Sequence, residues 1–230
     1  MNQNLSKIEY CICIDLDDTL YNEIDYVISG YREISKYIEN KQKIKIRNFP
    51  KKKDVLSYKK THLQRFLKKN QVKGISLKFL INILRNHKPK LSLSKKNLKK
   101  LILIRKHFKN LILVTNGRKI TQRNKIKSLN INKFFKKIFI SDEIGVKKPN
   151  KLIYKKIFSE YLNANKVFIG DNLYTDLITP IRLKEKTIII KNKNNRIHKL
   201  NENDKSFKKI NLIYEQFHEI KINDIKNLFY

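Results

Sequence analysis

Tyr10-Cys11-Ile12-Cys13-Ile14-Asp15-Leu16-Asp17-Asp18-Thr19-Leu20 is the stretch on which the reading of this chain turns. Tyr10 to Leu16 is a short, β-branched apolar run that meets acidic residues at its end. Such a run predicts a central strand buried on both faces, as parallel sheets require. Cys11 and Cys13 stand two residues apart and so share one face of that strand. With no further cysteine in the chain they read as core packing, not as a disulfide framework or a metal site, and they point to a reducing compartment.

Runs of the same character follow at Leu111 to Thr115, Lys137 to Ser141, Lys166 to Gly170 and Lys186 to Lys191. Helical patterns separate them at Lys95 to Phe108, Lys119 to Leu129, Asn150 to Leu162 and Tyr174 to Leu183. Strands alternating with helices of this length predict βαβ units: an α/β fold with a Rossmann-like parallel sheet flanked by helices. The long interval before Leu111 breaks the rhythm. Ile24 to Ile38, Val55 to Leu67 and Leu77 to Leu84 carry apolar residues at helical spacing, with a Lys- and Pro-containing loop at Asn48 to Asp54. The expected organisation is therefore a core of residues 1–22 and 94–230 with a small helical insertion, residues 23–93. Past Arg196 the tail is polar to Lys209, then holds an apolar stretch, Ile210 to Tyr214, and a weak helix.

With 230 residues, 40% of them hydrophobic, the chain has material for a packed core and is not a disordered polycation. The polar start, Met1 to Glu9, does not read as a signal peptide, and no apolar run approaches the ~18 residues a membrane span needs. The expectation is a cytoplasmic protein without a membrane partner. The formal charge of +33 invites a nucleic-acid reading. Of 53 basic residues, however, nine are Arg and 44 Lys, spread along the chain beside abundant Ile and Asn. That pattern suits AT-rich coding better than a binding face, where the bidentate Arg fork would be favoured. It argues against nucleic acid as the partner.

Four short motifs carry the chemistry. A carboxylate at the tip of a central strand, Asp15, can attack phosphorus. Asp17, two residues on, can protonate a leaving oxygen and later deprotonate water; Asp18 shapes the turn. A calcium loop counted from Asp15 would need Gly and Glu where Leu20 and Tyr26 stand, so that reading fails. Thr115-Asn116-Gly117 ends a strand and can grip phosphate oxygens through the Thr hydroxyl and the amides beyond it. Lys148, before Pro149, can neutralise phosphoryl charge, with Lys147 as a possible substitute. Asp171 and Asp176, after a strand and a Gly, can hold magnesium together with Asp15.

In this order the motifs resemble those of the haloacid dehalogenase-like hydrolase superfamily, over nearly the full chain. Asp15-Leu16-Asp17-Asp18-Thr19-Leu20 is similar to the first motif of the subclass whose helical cap lies between motifs one and two. The resemblance implies Asp15 as nucleophile, Asp17 as acid/base, and Thr115, Asn116 and Lys148 as the phosphate-binding set. It implies Mg2+ on Asp15, Asp171 and the main-chain carbonyl of Asp17, with Asp176 bound directly or through water. Relatives that break carbon–halogen bonds lack the second carboxylate of motif one, so Asp17 argues against dehalogenation. The expected activity is hydrolysis of a small phosphorylated metabolite, of the sugar phosphate or nucleotide class. A phosphomutase using the same aspartyl phosphate, or a non-catalytic basic protein associated with nucleic acid, are the alternatives. Tyr21, Glu23, Tyr31, Arg32 and Arg118 are the nearest candidates to meet the leaving group. Pro180 is expected to shorten the helix after Asp176.

Overall fold

The computed structural model describes residues 9–58, 61–192, 197 and 200–230. Apart from Glu9, the polar start read at Met1 to Glu9 lies outside them. Six strands form one parallel sheet in the order β3-β2-β1-β4-β5-β6: β1 Tyr10–Ile14, β2 Asn110–Thr115, β3 Lys137–Ile140, β4 Asn165–Gly170, β5 Lys186–Ile190 and β6 Leu212–Tyr214. This is the expected α/β, Rossmann-like arrangement. The chain builds outward from β1 to β3 on one side, then returns to place β4 on the other. That reversal beside β1 opens a crevice at the carboxyl ends of the strands, where open α/β sheets bind ligands.

Alternation along β1 divides the core. Ile12 and Ile14 pack with Leu111, Leu113, Val167 and Ile169 under α5 (Lys95–His107) and α6 (Lys119–Leu129). Cys11 and Cys13 face the other layer with Ile112, Val114 and Phe168, under α8 (Lys151–Glu160). The two thiols are buried and free, their sulfurs 3.9 Å apart on one face, as core packing requires. Between β3 and α8 in the chain comes the short α7, Ser141–Ile144.

Between β1 and α5 run α1 (Glu23–Gln42), α2 (Lys52–Tyr58), α3 (His62–Lys69) and α4 (Leu77–Asn86). They bury a hydrophobic cluster of their own, with Ile24, Tyr31, Ile34 and Ile38 of α1 against Phe66 and Leu80. Val55 to Leu67, read as helical, falls on α2 and α3, with residues 59–60 outside the described residues. Tyr31 packs edge-on against Phe66 in this cluster, so it belongs to the packing and not to the leaving-group site.

Two further departures have local causes. The helix expected at Tyr174 to Leu183 is a single π-turn, Leu173–Leu177, followed by α9, Ile178–Arg182. Pro180 has no N–H to give the Asp176 carbonyl, and the Tyr154 hydroxyl donates to that carbonyl instead, at 3.2 Å. The apolar stretch at Ile210 to Tyr214 supplies β6, a three-residue edge strand beside β5. The weak terminal helix is α10, Ile222–Asn227. No helix among the described residues is long and apolar enough to cross a membrane.

Candidate active site

Asp15, Asp17, Thr115, Asn116, Lys148, Asp171 and Asp176 all line one cavity of about 380 Å³ in the crevice beside β1. Register explains the convergence. Ile14 lies opposite Leu113 of β2 and Ile169 of β4, so the residues that follow all three strands emerge at one level. The Asp15 amide still donates to the Ile169 carbonyl at 2.9 Å, which holds its carboxylate at the mouth of the sheet.

Asp15, Asp171 and Asp176 are buried, and each offers a carboxylate oxygen within 4.8 Å of the others. Lys148, itself buried, reaches into this group. Its ammonium donates to Asp15 at 2.6 Å and to the Val114 carbonyl at 2.8 Å, and pairs with Asp176 at 2.8 Å. Burial pushes the Asp15 carboxyl up, to about 8, with the Asp176 and Asp17 charges adding to it and Lys148 opposing. Burial alone would lower the Lys148 ammonium, but Asp15 and Asp176 outweigh that and hold it above its ordinary value. Lys147, by contrast, is exposed. Three clustered carboxylates against one lysine form an all-oxygen donor set with surplus negative charge. That set fits a hard divalent cation such as Mg2+.

Asn116 lines the cavity, but its side chain braces Lys148. Its Oδ1 accepts from the Lys148 amide at 2.8 Å and its Nδ2 donates to the Lys148 carbonyl at 3.0 Å. Thr115 is buried, and its hydroxyl accepts from Gln122 Nε2 at 2.6 Å. The Lys148–Pro149 peptide is cis.

Asp17 sits in a separate network that the sequence reading missed. It accepts from the Tyr21 hydroxyl at 2.6 Å, from Gln122 Nε2 at 2.9 Å, and from Lys125 Nζ at 2.8 and 2.9 Å. Burial favours the protonated carboxyl, but Lys125, Tyr21 and Gln122 together hold Asp17 below the ordinary carboxylate range. Lys125 is buried on α6, one turn from Gln122, and its ammonium stands 4.5 Å from the Tyr26 ring centre. In a chain of 44 lysines nothing marked this one out. Asp18 does shape the turn. Its φ is +55°, and its carboxylate accepts from the amides of Glu23 and Ile197, each at 2.8 Å. Asn192 donates to the Asp18 carbonyl and to Asn22, closing the turn that leads into α1.

Gly170 precedes the metal-type pair for a steric reason. A Cβ there would lie 2.5 Å from Asp176 Cβ and 2.6 Å from its Oδ2. Gly170→Ala is expected to displace Asp176 and weaken Mg2+ binding at least ~10-fold, read by titration calorimetry. An unchanged affinity would remove Asp176 from the cation set.

A family model described as haloacid dehalogenase-like hydrolase matches residues 12–190. Two glyceraldehyde 3-phosphate phosphatases, from Pyrococcus abyssi and Pyrococcus furiosus, are 36% and 35% identical over 80 residues, about a third of this chain. The matched segment likewise spans only about a third of those relatives' length, 34% and 33%. Among solved structures, the HAD hydrolase YfnB of Bacillus subtilis, bound to magnesium, superposes with a TM-score of 0.69 at 18% identity, over 93% of this chain and 97% of that one. A HAD phosphatase from Thermococcus onnurineus gives 0.55 at 17% identity, over 91% and 95%. At such identities the two structures speak to the fold alone.

Proposed function

Because this chain belongs to the haloacid dehalogenase-like hydrolase family, we propose that it is a magnesium-dependent phosphatase of a small phosphorylated metabolite, acting through an aspartyl phosphate on Asp15. The observation that carries this reading is the pair of carboxylates, Asp15 and Asp17, on one cavity in two opposite environments. One is clustered with Lys148 and two further acids. The other is held by Lys125, Gln122 and Tyr21.

Asp15 attacks phosphorus, and the bond to the leaving oxygen breaks as its proton arrives from Asp17. In the second step Asp17 takes a proton from water, whose oxygen displaces the Asp15 carboxylate and frees phosphate. As arranged here, Asp17 is held as a carboxylate, the form the second step uses; for the first step it carries a proton, taken up from solvent before the leaving oxygen departs. The Gln122 amide fixes its distance from the phosphate pocket by bridging it to the Thr115 hydroxyl. Lys148 holds negative charge on the phosphoryl oxygens, and Asn116 keeps it in place. Asp15, Asp171 and Asp176 would hold Mg2+, with the Asp17 carbonyl, and the ion would lower the charge repulsion between carboxylate and phosphoryl group. Residues 23–93, whose helix α1 starts at the cavity's edge, would act as the cap that excludes water and selects the leaving group.

The test is phosphate release from a panel of sugar phosphates, nucleotides and small phosphorylated acids, with Mg2+ and after its removal by EDTA. Release that disappears with the metal and returns on its addition is expected. No release from any compound would overturn the reading.

A further inference from the structure

We propose that Glu23 selects phosphate esters whose leaving group is uncharged and hydroxylated, and turns away those with a second anionic group. This rests on the phosphatase reading and names its substrate class. The cavity carries a charge opposite to that of the whole chain. Among the described residues six carboxylates line it, on Asp15, Asp17, Asp18, Glu23, Asp171 and Asp176, against one lysine, Lys148. Lys148 is committed to Asp15 and Asp176, and the buried Lys125 behind the wall to Asp17. Arg118, which could have met an anionic leaving group, is not among the lining residues.

The other acids already have work. Asp18 binds backbone amides, Asp17 has the leaving oxygen in the reaction proposed above, and the remaining three cluster closely enough to hold a cation. Glu23 alone is left to face the rest of the substrate. It opens α1 at the cavity's edge, part exposed, with its backbone pinned to Asp18. Its ion-pair partner among the described residues is Lys125, at 3.5 Å, while the Lys125 ammonium sits closer to Asp17. A carboxylate so placed has an oxygen to accept a hydroxyl proton from the leaving group. The rest of the rim, Asn116, Asn172, Tyr174 and Thr175, is neutral. Burial and the Asp17 charge push the Glu23 carboxyl up, to about 7. Once ionised it would meet a carboxylate on the leaving group with no uncommitted cation among the described lining residues, which at low effective dielectric is a penalty of about 10- to 100-fold in kcat/KM.

The experiment compares two molecules matched in size, glycerol 3-phosphate and 3-phosphoglycerate, on wild type and Glu23→Gln. Each is measured as a substrate and as a competitive inhibitor of Mg2+-dependent p-nitrophenyl phosphate hydrolysis. Wild type is expected to favour the glycerol ester by at least ~10-fold in kcat/KM and to bind it more tightly as inhibitor. Glu23→Gln is expected to narrow that gap at least ~5-fold by improving phosphoglycerate. Equal or better use of phosphoglycerate by wild type overturns the proposal, whatever the variant does. So does an inhibition ratio that Glu23→Gln leaves unchanged. If none of the three esters, nor any compound of the wider panel, is hydrolysed, the phosphatase reading fails and this inference falls with it; hydrolysis with the wrong ratio overturns the inference alone.

Discussion

Asp15→Asn is expected to lower kcat by at least ~10⁴-fold with every substrate while leaving the protein folded. The size follows from what is removed. When a group that forms the covalent bond is deleted, the loss is close to that of the whole catalytic unit, on the order of 10⁶ in a well-studied hydrolase. Asn is almost isosteric with Asp, and its carbonyl oxygen can still accept from Lys148, which bonds Asp15 at 2.6 Å. What it lacks is the anionic oxygen that attacks phosphorus. Folding should survive because the substitution lowers the negative charge of a crowded group, where burial already opposes ionisation of Asp15. Acid quenching with labelled substrate supplies the second readout: wild type should retain a phosphoryl label on protein, and Asp15→Asn none. Activity within ~10-fold of wild type would show that another residue is the nucleophile.

How much of this could be read from the chain depends on the range of the interaction. β1 and its acidic end were legible because an apolar run stopped by carboxylates is a local pattern, and the same holds for the strands ending in Thr115 and Gly170. Their meeting was legible as well, since parallel strands with right-handed crossovers must put their carboxyl ends on one side of the sheet. The hold on Asp17 was not. It joins a turn after β1 to residues 105 and 108 positions later on α6, through a glutamine and one lysine among many. Nothing local distinguishes Lys125 from its exposed neighbours. Asn116 was legible as a member of the site but not in its task, because its partner is the backbone of Lys148, 32 residues away. The strand at Leu212 was missed for the opposite reason. It is three residues long at a sheet edge, too short for alternation to register.

Lys148→Met is expected to damage both stability and turnover, and the coupling between the two is the informative part. Lys148 is 4% exposed and contacts two carboxylates and a carbonyl. Removing one partner of a buried ion pair typically costs about 3–5 kcal/mol, because the other charge is left without compensation. In metal-free protein of this size that corresponds to a fall in Tm on the order of 10 °C. Mg2+ would neutralise the same three carboxylates, so added Mg2+ should raise the Tm of Lys148→Met by more than it raises that of wild type. Turnover should stay ~10²- to 10³-fold down even when the metal has restored the fold, since the positive charge aimed at the phosphoryl oxygens is gone. Lys147→Met separates position from composition: one residue away but exposed, it should change neither Tm nor kcat by a measurable amount. A metal-free Lys148→Met protein as stable as wild type would mean that the carboxylates hold fewer charges than their clustering implies. In that case Asp15, Asp171 and Asp176 would carry too little charge to call for a cation between them.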